Sequence, residues 1–286
     1  MNVFVSGSKI GDAICAIPVI CALAERFDRL QTLWGNLEVA DLANFPPNVT
    51  VLRRRVDDDA DRILADLTFD WTQYRGDYSG HPTSYLFAQA GLPVPPDLPR
   101  PRLGVIPLLG IQAYDFVVAP FADDHHGERS FPWGDWATVF YALRSAWPTC
   151  SILVVGAKDD PKPWPLDEGP GRDHEAVEYL YGAPLRTVVA CMLSARRAVL
   201  TVDSGPNRLA WAAGVPNHII LASDVVPQEW ASYPGSLCYR SSVRHLNAAS
   251  VMTFVRAANQ ARTHRDFPST VEAVSDQRGL LKQVQW

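Results

Sequence analysis

The feature that most constrains this chain is an alternation. Short apolar runs are followed by stretches whose apolar residues recur at helical spacing, and the pattern occurs twice. In the first hundred residues the runs Asn2–Ser6, Gln31–Trp34 and Val49–Leu52 read as strands, and Asp12–Phe27 and Glu38–Asn44 as helices. Asp57–Leu67, with Ile63, Leu64 and Leu67, also reads as a helix. Further on, Tyr114–Pro120, Ser151–Val155, Arg197–Val202 and His218–Ala222 read as strands. Between and after them Asp135–Ala146, Leu185–Ser194 and Arg208–Ala213 read as helices, and Asn247 caps another that runs to Gln260. Strands that alternate with helices build βαβ units on a parallel sheet, so the fold class is α/β. The two blocks are separated by Pro93-Val94-Pro95-Pro96-Asp97-Leu98-Pro99-Arg100-Pro101, with five prolines in nine residues. Such a stretch can enter neither a helix nor a sheet interior and reads as a linker. Two Rossmann-like domains follow, residues 1–100 and 101–262, with a polar tail, 263–286, that could pack back on the first. Ligand is expected in the cleft where the carboxyl ends of the two sets of strands face each other.

Bulk properties narrow the function. A net charge of −5 on 286 residues gives no general basic field for nucleic acid. No apolar run reaches the length of a membrane span. The start, Met-Asn-Val-Phe-Val-Ser-Gly-Ser, has no charged leader pattern and reads as a strand. The cysteines Cys15, Cys21, Cys150, Cys191 and Cys238 are scattered, which suits free thiols in a reducing compartment. The expectation is a cytoplasmic protein without a transmembrane segment; peripheral membrane contact stays open.

Three stretches carry chemistry. Val202 ends an apolar run, and Asp203-Ser204-Gly205-Pro206 then opens a helix. Proline is tolerated in the first helical turn, where N–H groups lack partners. Those open amides and the positive dipole end make an anion site. Arg129 stands in a loop before a helix of the same half, where a cation could neutralise that anion or simply be solvated. Gly7-Ser8-Lys9-Ile10-Gly11-Asp12 follows the first strand but has neither Walker nor dinucleotide spacing. Asp12 at a helix start reads as an N-cap, as a general base, or as both. Asp123-Asp124-His125-His126 has the look of a metal site, but adjacent residues rarely converge on one ion, and no metal is expected.

In order, these stretches resemble family 9 glycosyltransferases, the bacterial heptosyltransferase family. Gly11-Asp12 with Pro18 is similar to the family's opening motif, and Arg129-Ser130-Phe131-Pro132 with Trp136 to its Lys-x-Trp-Pro motif. Val202–Pro206 with Leu209-Ala210 and Gly214-Val215-Pro216 is similar to its Asp-Ser-Gly-Pro motif. The resemblance covers about residues 3–26 and 115–222. It implies a GT-B fold and inverting, metal-independent transfer of a sugar from a nucleotide-diphosphate sugar to a hydroxyl acceptor, with no other cofactor. It implies that Asp12 is the base, Arg129 the cation on the donor phosphates, and Asp203, Ser204 and Gly205 the loop under diphosphate and sugar. Asp160 falls near the family's ribose-binding acid. Ser8, Lys9 and Gly11, with Arg53 and Arg54, would serve the acceptor, a glycolipid or other glycan. For Arg53-Arg54-Arg55 the favoured reading is a solvated run paired with Asp57-Asp58-Asp59.

Two departures matter. The family's Lys is Arg129 here, and its His is Arg208, which suggests extra negative charge on the donor or a tighter grip on phosphate. The alternative is that Arg208 swings out to a surface acid such as Asp224 or Glu229. A sugar-nucleotide epimerase or hydrolase on the same scaffold, acting on donor alone, competes with the transferase reading. So does a non-catalytic sugar-nucleotide-binding protein, in which Asp12→Asn would change no rate.

Overall fold

The structure, a computed structural model, describes residues 2–5, 9–53, 63–67, 80–104, 106, 108, 110–122, 129–160, 177–223, 233–241, 245–263, 271–275 and 281–285. The chain divides into two compact units, Met1–Ile106 and Pro107–Trp286.

The first unit holds a parallel sheet of β1 (Asn2–Val5), β2 (Leu30–Trp34), β3 (Val49–Leu52) and β4 (Ile63–Asp66) in the order β3-β2-β1-β4. Helix α1 (Ile10–Ala24) connects β1 to β2 and is buried on nearly every side, as its uniformly apolar sequence requires. Helix α2 (Leu37–Leu42) starts at Asn36, whose side chain accepts from the Val39 N–H at 3.1 Å. Helix α3 (Pro82–Gln89) starts at His81, whose Nδ1 accepts from the Thr83 N–H at 3.0 Å, with proline in the first turn. The proline-rich stretch forms neither helix nor strand. Its far end returns to α2, where Asn44 donates to the Arg102 carbonyl and Gly104 to the Leu42 carbonyl, both at 2.8 Å.

The helix expected over 57–67 is corrected. Residues 63–66 are strand β4, paired with β1, and 54–62 lie outside the described residues. A short run such as Ile63-Leu64-Ala65 fits either period, and pairing with a central strand decided it.

The second unit is one large sheet. Its strands are β5 (Phe116–Ala119), β6 (Ile152–Gly156), β7 (Val177–Tyr181), β8 (Ala198–Val202), β9 (His218–Ser223), β10 (Leu237–Ser241), β11 (Val271–Ser275) and β12 (Leu281–Gln285). They lie in the order β12-β11-β10-β9-β8-β5-β6-β7, all parallel except β12. From β7 to β10 this is the doubly wound Rossmann order: the chain starts in the middle, runs out one way, then returns and runs out the other. Right-handed crossovers put helices of the two halves on opposite faces. Helix α4 (Trp133–Ala146) packs on one face, and α7 (Ala248–Thr263), although it follows β10 of the second half, lies beside it there. Helices α5 (Leu185–Ser194) and α6 (Gly205–Ala213) cover the other. Along β5, Phe116 and Val118 meet Trp136, Val139 and Leu143, while Val117 and Ala119 meet Val188, Cys191 and Ala210. The two strands of the tail extend this second sheet. Among the described residues no helix is long and apolar enough to cross a membrane, and the five cysteines are free thiols.

One buried polar group should make stability depend on pH. His218, at the start of β9, is enclosed between Thr201 Oγ1 and Ser236 Oγ, each 2.9 Å from a ring nitrogen. Burial disfavours its charged form and lowers its pKa to about 3. An unfolded histidine takes up its proton near pH 6.5, so between that pH and 3 the unfolded state binds more protons than the native state. Stability is therefore fully present above the upper value and declines as pH falls, at a slope approaching ~1.4 kcal/mol per pH unit. Denaturant melts at pH 7, 6 and 5 should show the gap between wild type and His218→Gln shrinking by that slope. A pH-independent gap would remove His218 from the acid sensitivity.

Candidate functional site

In a doubly wound sheet the loops leaving adjacent central strands diverge to opposite faces, and a crevice opens at their carboxyl ends. Here the two strands are β5 and β8. The loop after β5 carries Arg129 and leads to α4; the residues after β8 are Asp203 and Ser204, which lead to α6.

These two loops bring opposite charges together. Arg129 Nη1 lies 3.9 Å from Asp203 Oδ2, with side-chain exposures of 24% and 0%. That distance is too long for a hydrogen bond, so the contact is Coulombic. Among the described residues neither Asp203 oxygen accepts a hydrogen bond. The loop beside Arg129 is fixed by Ser130, whose Oγ accepts from the Ala122 N–H at 3.0 Å, and by buried Phe131 and Trp136.

Ser204 is the N-cap of α6 in extended conformation, but its hydroxyl does not cap the helix; it donates to the Val202 carbonyl at 3.2 Å. The first N–H groups of a helix have no intrahelical acceptor, and Pro206 has no N–H, so Gly205 and Asn207 are the first-turn main-chain donors. Arg208, in the same turn, is 3% exposed, so it does not lie on the surface; Asp224 and Glu229, its alternative partners, are outside the described residues. Helix α6 ends at Gly214, whose φ of 71° supplies the left-handed residue that closes it, with the Val215 N–H returning to the Ala210 carbonyl at 3.1 Å.

The remaining expected residues lie on other elements. Asp12 belongs to the first unit, in the first turn of α1, directly after the central strand β1, and is 8% exposed. The N-cap reading of Asp12 is corrected: Lys9 occupies the cap position, without a side-chain cap, and Asp12 lies three residues on. There it interacts favourably with the helix dipole. Gly11 is buried beside it, and Lys9 is exposed. Asp160 closes the turn after β6, its Oδ2 accepting from the Ala157 N–H at 2.6 Å. A Cβ on Gly156 would come within 2.6 Å of that same oxygen, so a side chain there would displace the Asp160 carboxylate. Arg53 pairs at 2.7 Å with Asp41 on the surface, where such pairs contribute little. Ser8, Arg54, Asp57–Asp59 and Asp123–His126 lie outside the described residues. Among the described residues no group of three or more His, Cys, Asp or Glu side chains is placed to hold a metal ion.

One residue was missed by sequence reasoning. Asn207 is fully buried in the first turn of α6, and neither of its amide atoms has a hydrogen-bond partner among the described residues. Its place in the first turn of the helix that Asp203-Ser204-Gly205-Pro206 opens was the available signal.

The fold is of the GT-B type, with two Rossmann-like parallel sheets in one chain. Solved structures similar to it include bacterial sugar-transfer enzymes. The chain is similar to the iron-containing dodecameric glycosyltransferase TibC from enterotoxigenic E. coli H10407, with a TM-score of 0.63 at 15% identity over 82% of this chain. It spans 61% of TibC. It is similar to E. coli heptosyltransferase WaaC, solved with ADP, with a TM-score of 0.59 at 15% identity over 90% of this chain and 100% of WaaC. It is also similar to the family 9 glycosyl transferase from Veillonella parvula DSM 2008, with a TM-score of 0.59 at 12% identity over 91% of this chain and 97% of that one. At these identities what is shared is the fold. No protein-family model matches the sequence, and no curated protein matches it.

Proposed function

We propose that the chain is a glycosyltransferase, moving a sugar from a nucleotide-diphosphate sugar to a hydroxyl acceptor with inversion and without a metal. The observation that carries this reading is the Arg129–Asp203 pair at the start of α6, on the switch point of a GT-B-type sheet. Phosphate suits the cation and the open main-chain N–H groups; sugar hydroxyls suit the carboxylate. The E. coli enzyme WaaC was solved with ADP and TibC with ADP-D-beta-D-heptose, which supports a nucleotide-sugar donor for the shared fold.

In this reading Asp12 takes the proton of the acceptor hydroxyl, whose oxygen attacks the anomeric carbon. The bond from that carbon to the phosphate oxygen breaks, and the diphosphate keeps the electron pair. Arg129, Arg208 and the N–H groups of Gly205 and Asn207 receive the charge that develops on it. Gly11, Lys9 and Arg53 are the described residues assigned to the acceptor side.

The test is a thermal-shift screen of ADP, UDP and GDP and their sugars. A ligand at a hundred times its Kd should stabilise the protein by about 2.7 kcal/mol. The absence of any shift with every nucleoside diphosphate would sink the reading. Transfer should also survive excess EDTA, because a cation and a helix start carry the leaving-group charge. Loss of turnover in EDTA, restored by a divalent ion, would overturn metal independence.

A further inference from the structure

Two buried side chains beside α6 that make no hydrogen bond to any described residue say more than the presence of an anion site. Asp203 and Asn207 flank the helix start, both fully buried, and neither side chain hydrogen-bonds to any described residue. Buried polar groups without partners are rare because each forfeits its bonds to water. Asn207 is three residues before Ala210, which packs with Val117 and Val199 against the sheet. The same helix face one turn earlier therefore turns toward the carboxyl ends of β5 and β8. Helical side chains lean toward the N-terminus, which carries the amide toward Asp203.

What could satisfy both groups is restricted. The ionised carboxylate can only accept; the amide offers two N–H donors and an accepting oxygen. A phosphate has acceptors only, so it could take bonds from Asn207 Nδ2 but could offer none to Asn207 Oδ1 or to Asp203. Hydroxyl groups donate to both acceptors and accept from the amide. We infer that Asn207 is a sugar-specificity residue: with Asp203 it forms a polyol subsite that reads hydroxyls of the transferred sugar. This rests on the nucleotide-sugar reading above and adds to it which part of the donor is read, and by which residue.

Calorimetry on the full chain can separate the two. The probe is whichever pair shifts the wild-type melting temperature most: ADP and ADP-D-beta-D-heptose, UDP and UDP-glucose, or GDP and GDP-mannose. In Asn207→Ala the nucleoside diphosphate should keep its Kd within about twofold, while its sugar ester weakens at least tenfold, the loss of one well-placed hydrogen bond. The ligand-free variant should melt at the wild-type temperature or above it, since two unsatisfied atoms are gone. Asn207→Ser, which keeps one hydroxyl, should recover part of the lost affinity. Equal weakening of both ligands would place Asn207 on the ribose or phosphates and overturn the inference. So would unchanged affinity for both, or a drop of several degrees in the free protein, which would make the amide structural. If wild type binds none of the six probes, the nucleotide-sugar reading itself has failed and the inference goes with it.

Discussion

Replacing Asp12 by Asn should lower kcat by about two to four decades, the usual worth of a general base. Asn fills the same volume and keeps hydrogen bonding, but it cannot take a proton. The position is suited to the role: a carboxylate 8% exposed, in the first turn of a helix that follows a central strand of its sheet. Donor affinity should hold, because the residues assigned to the donor phosphates and sugar all belong to the second unit. Release of nucleoside diphosphate, followed in the presence and absence of acceptor, gives the rate, and calorimetry gives the affinity. A variant that turns over at the wild-type rate would remove Asp12 from proton transfer.

The second large effect is expected at Arg129. Arg129→Ala should weaken nucleoside diphosphate binding by roughly 1.5–3 kcal/mol, the range for hydrogen bonds to charged groups. It should also destabilise the free protein, by about 1–3 kcal/mol, because it leaves the Asp203 carboxylate buried with its cation gone. The two losses have different origins and can be separated. Adding Asp203→Asn to Arg129→Ala removes the stranded charge and should restore most of the stability while diphosphate affinity stays low. If the double variant is no more stable than Arg129→Ala, the 3.9 Å contact carries no electrostatic weight.

How much of this could be seen in the sequence depended on how local the cause was. The strands β5, β6, β8 and β9 are continuous apolar runs buried on both faces, and their composition alone marks them. Asn247 as a cap was legible because the cause is a side chain three residues from its partner: its Oδ1 accepts from the Ser250 N–H at 3.1 Å. The same holds for Asp203–Pro206, where loop, cap position and proline are contiguous. What was lost depended on distant partners. Strand β4 owes its state to β1, about sixty residues earlier. Strand β7, Val-Glu-Tyr-Leu-Tyr, lies at the sheet edge and is only half buried, so its pattern is weak. Asn207 looked like a routine polar residue in a helix, because that its amide is enclosed and unsatisfied is a property of the packed unit.

In the proposed anion site at α6 the helix cap contributes only peptide N–H groups, since the one side chain at the cap, Ser204, bonds elsewhere. Peptide N–H groups are the part of a protein that substitution changes least, since only proline removes one. The share of a ligand's charge held this way survives exchange of neighbouring side chains as long as the strand still ends at Val202, the backbone still turns at Ser204, and the helix still closes at Gly214. Drift at such a site is steered by backbone geometry, and its record is written in turn residues and glycines. Searches that weigh side-chain identity will lose sight of such a chain long before its fold ceases to be recognisable.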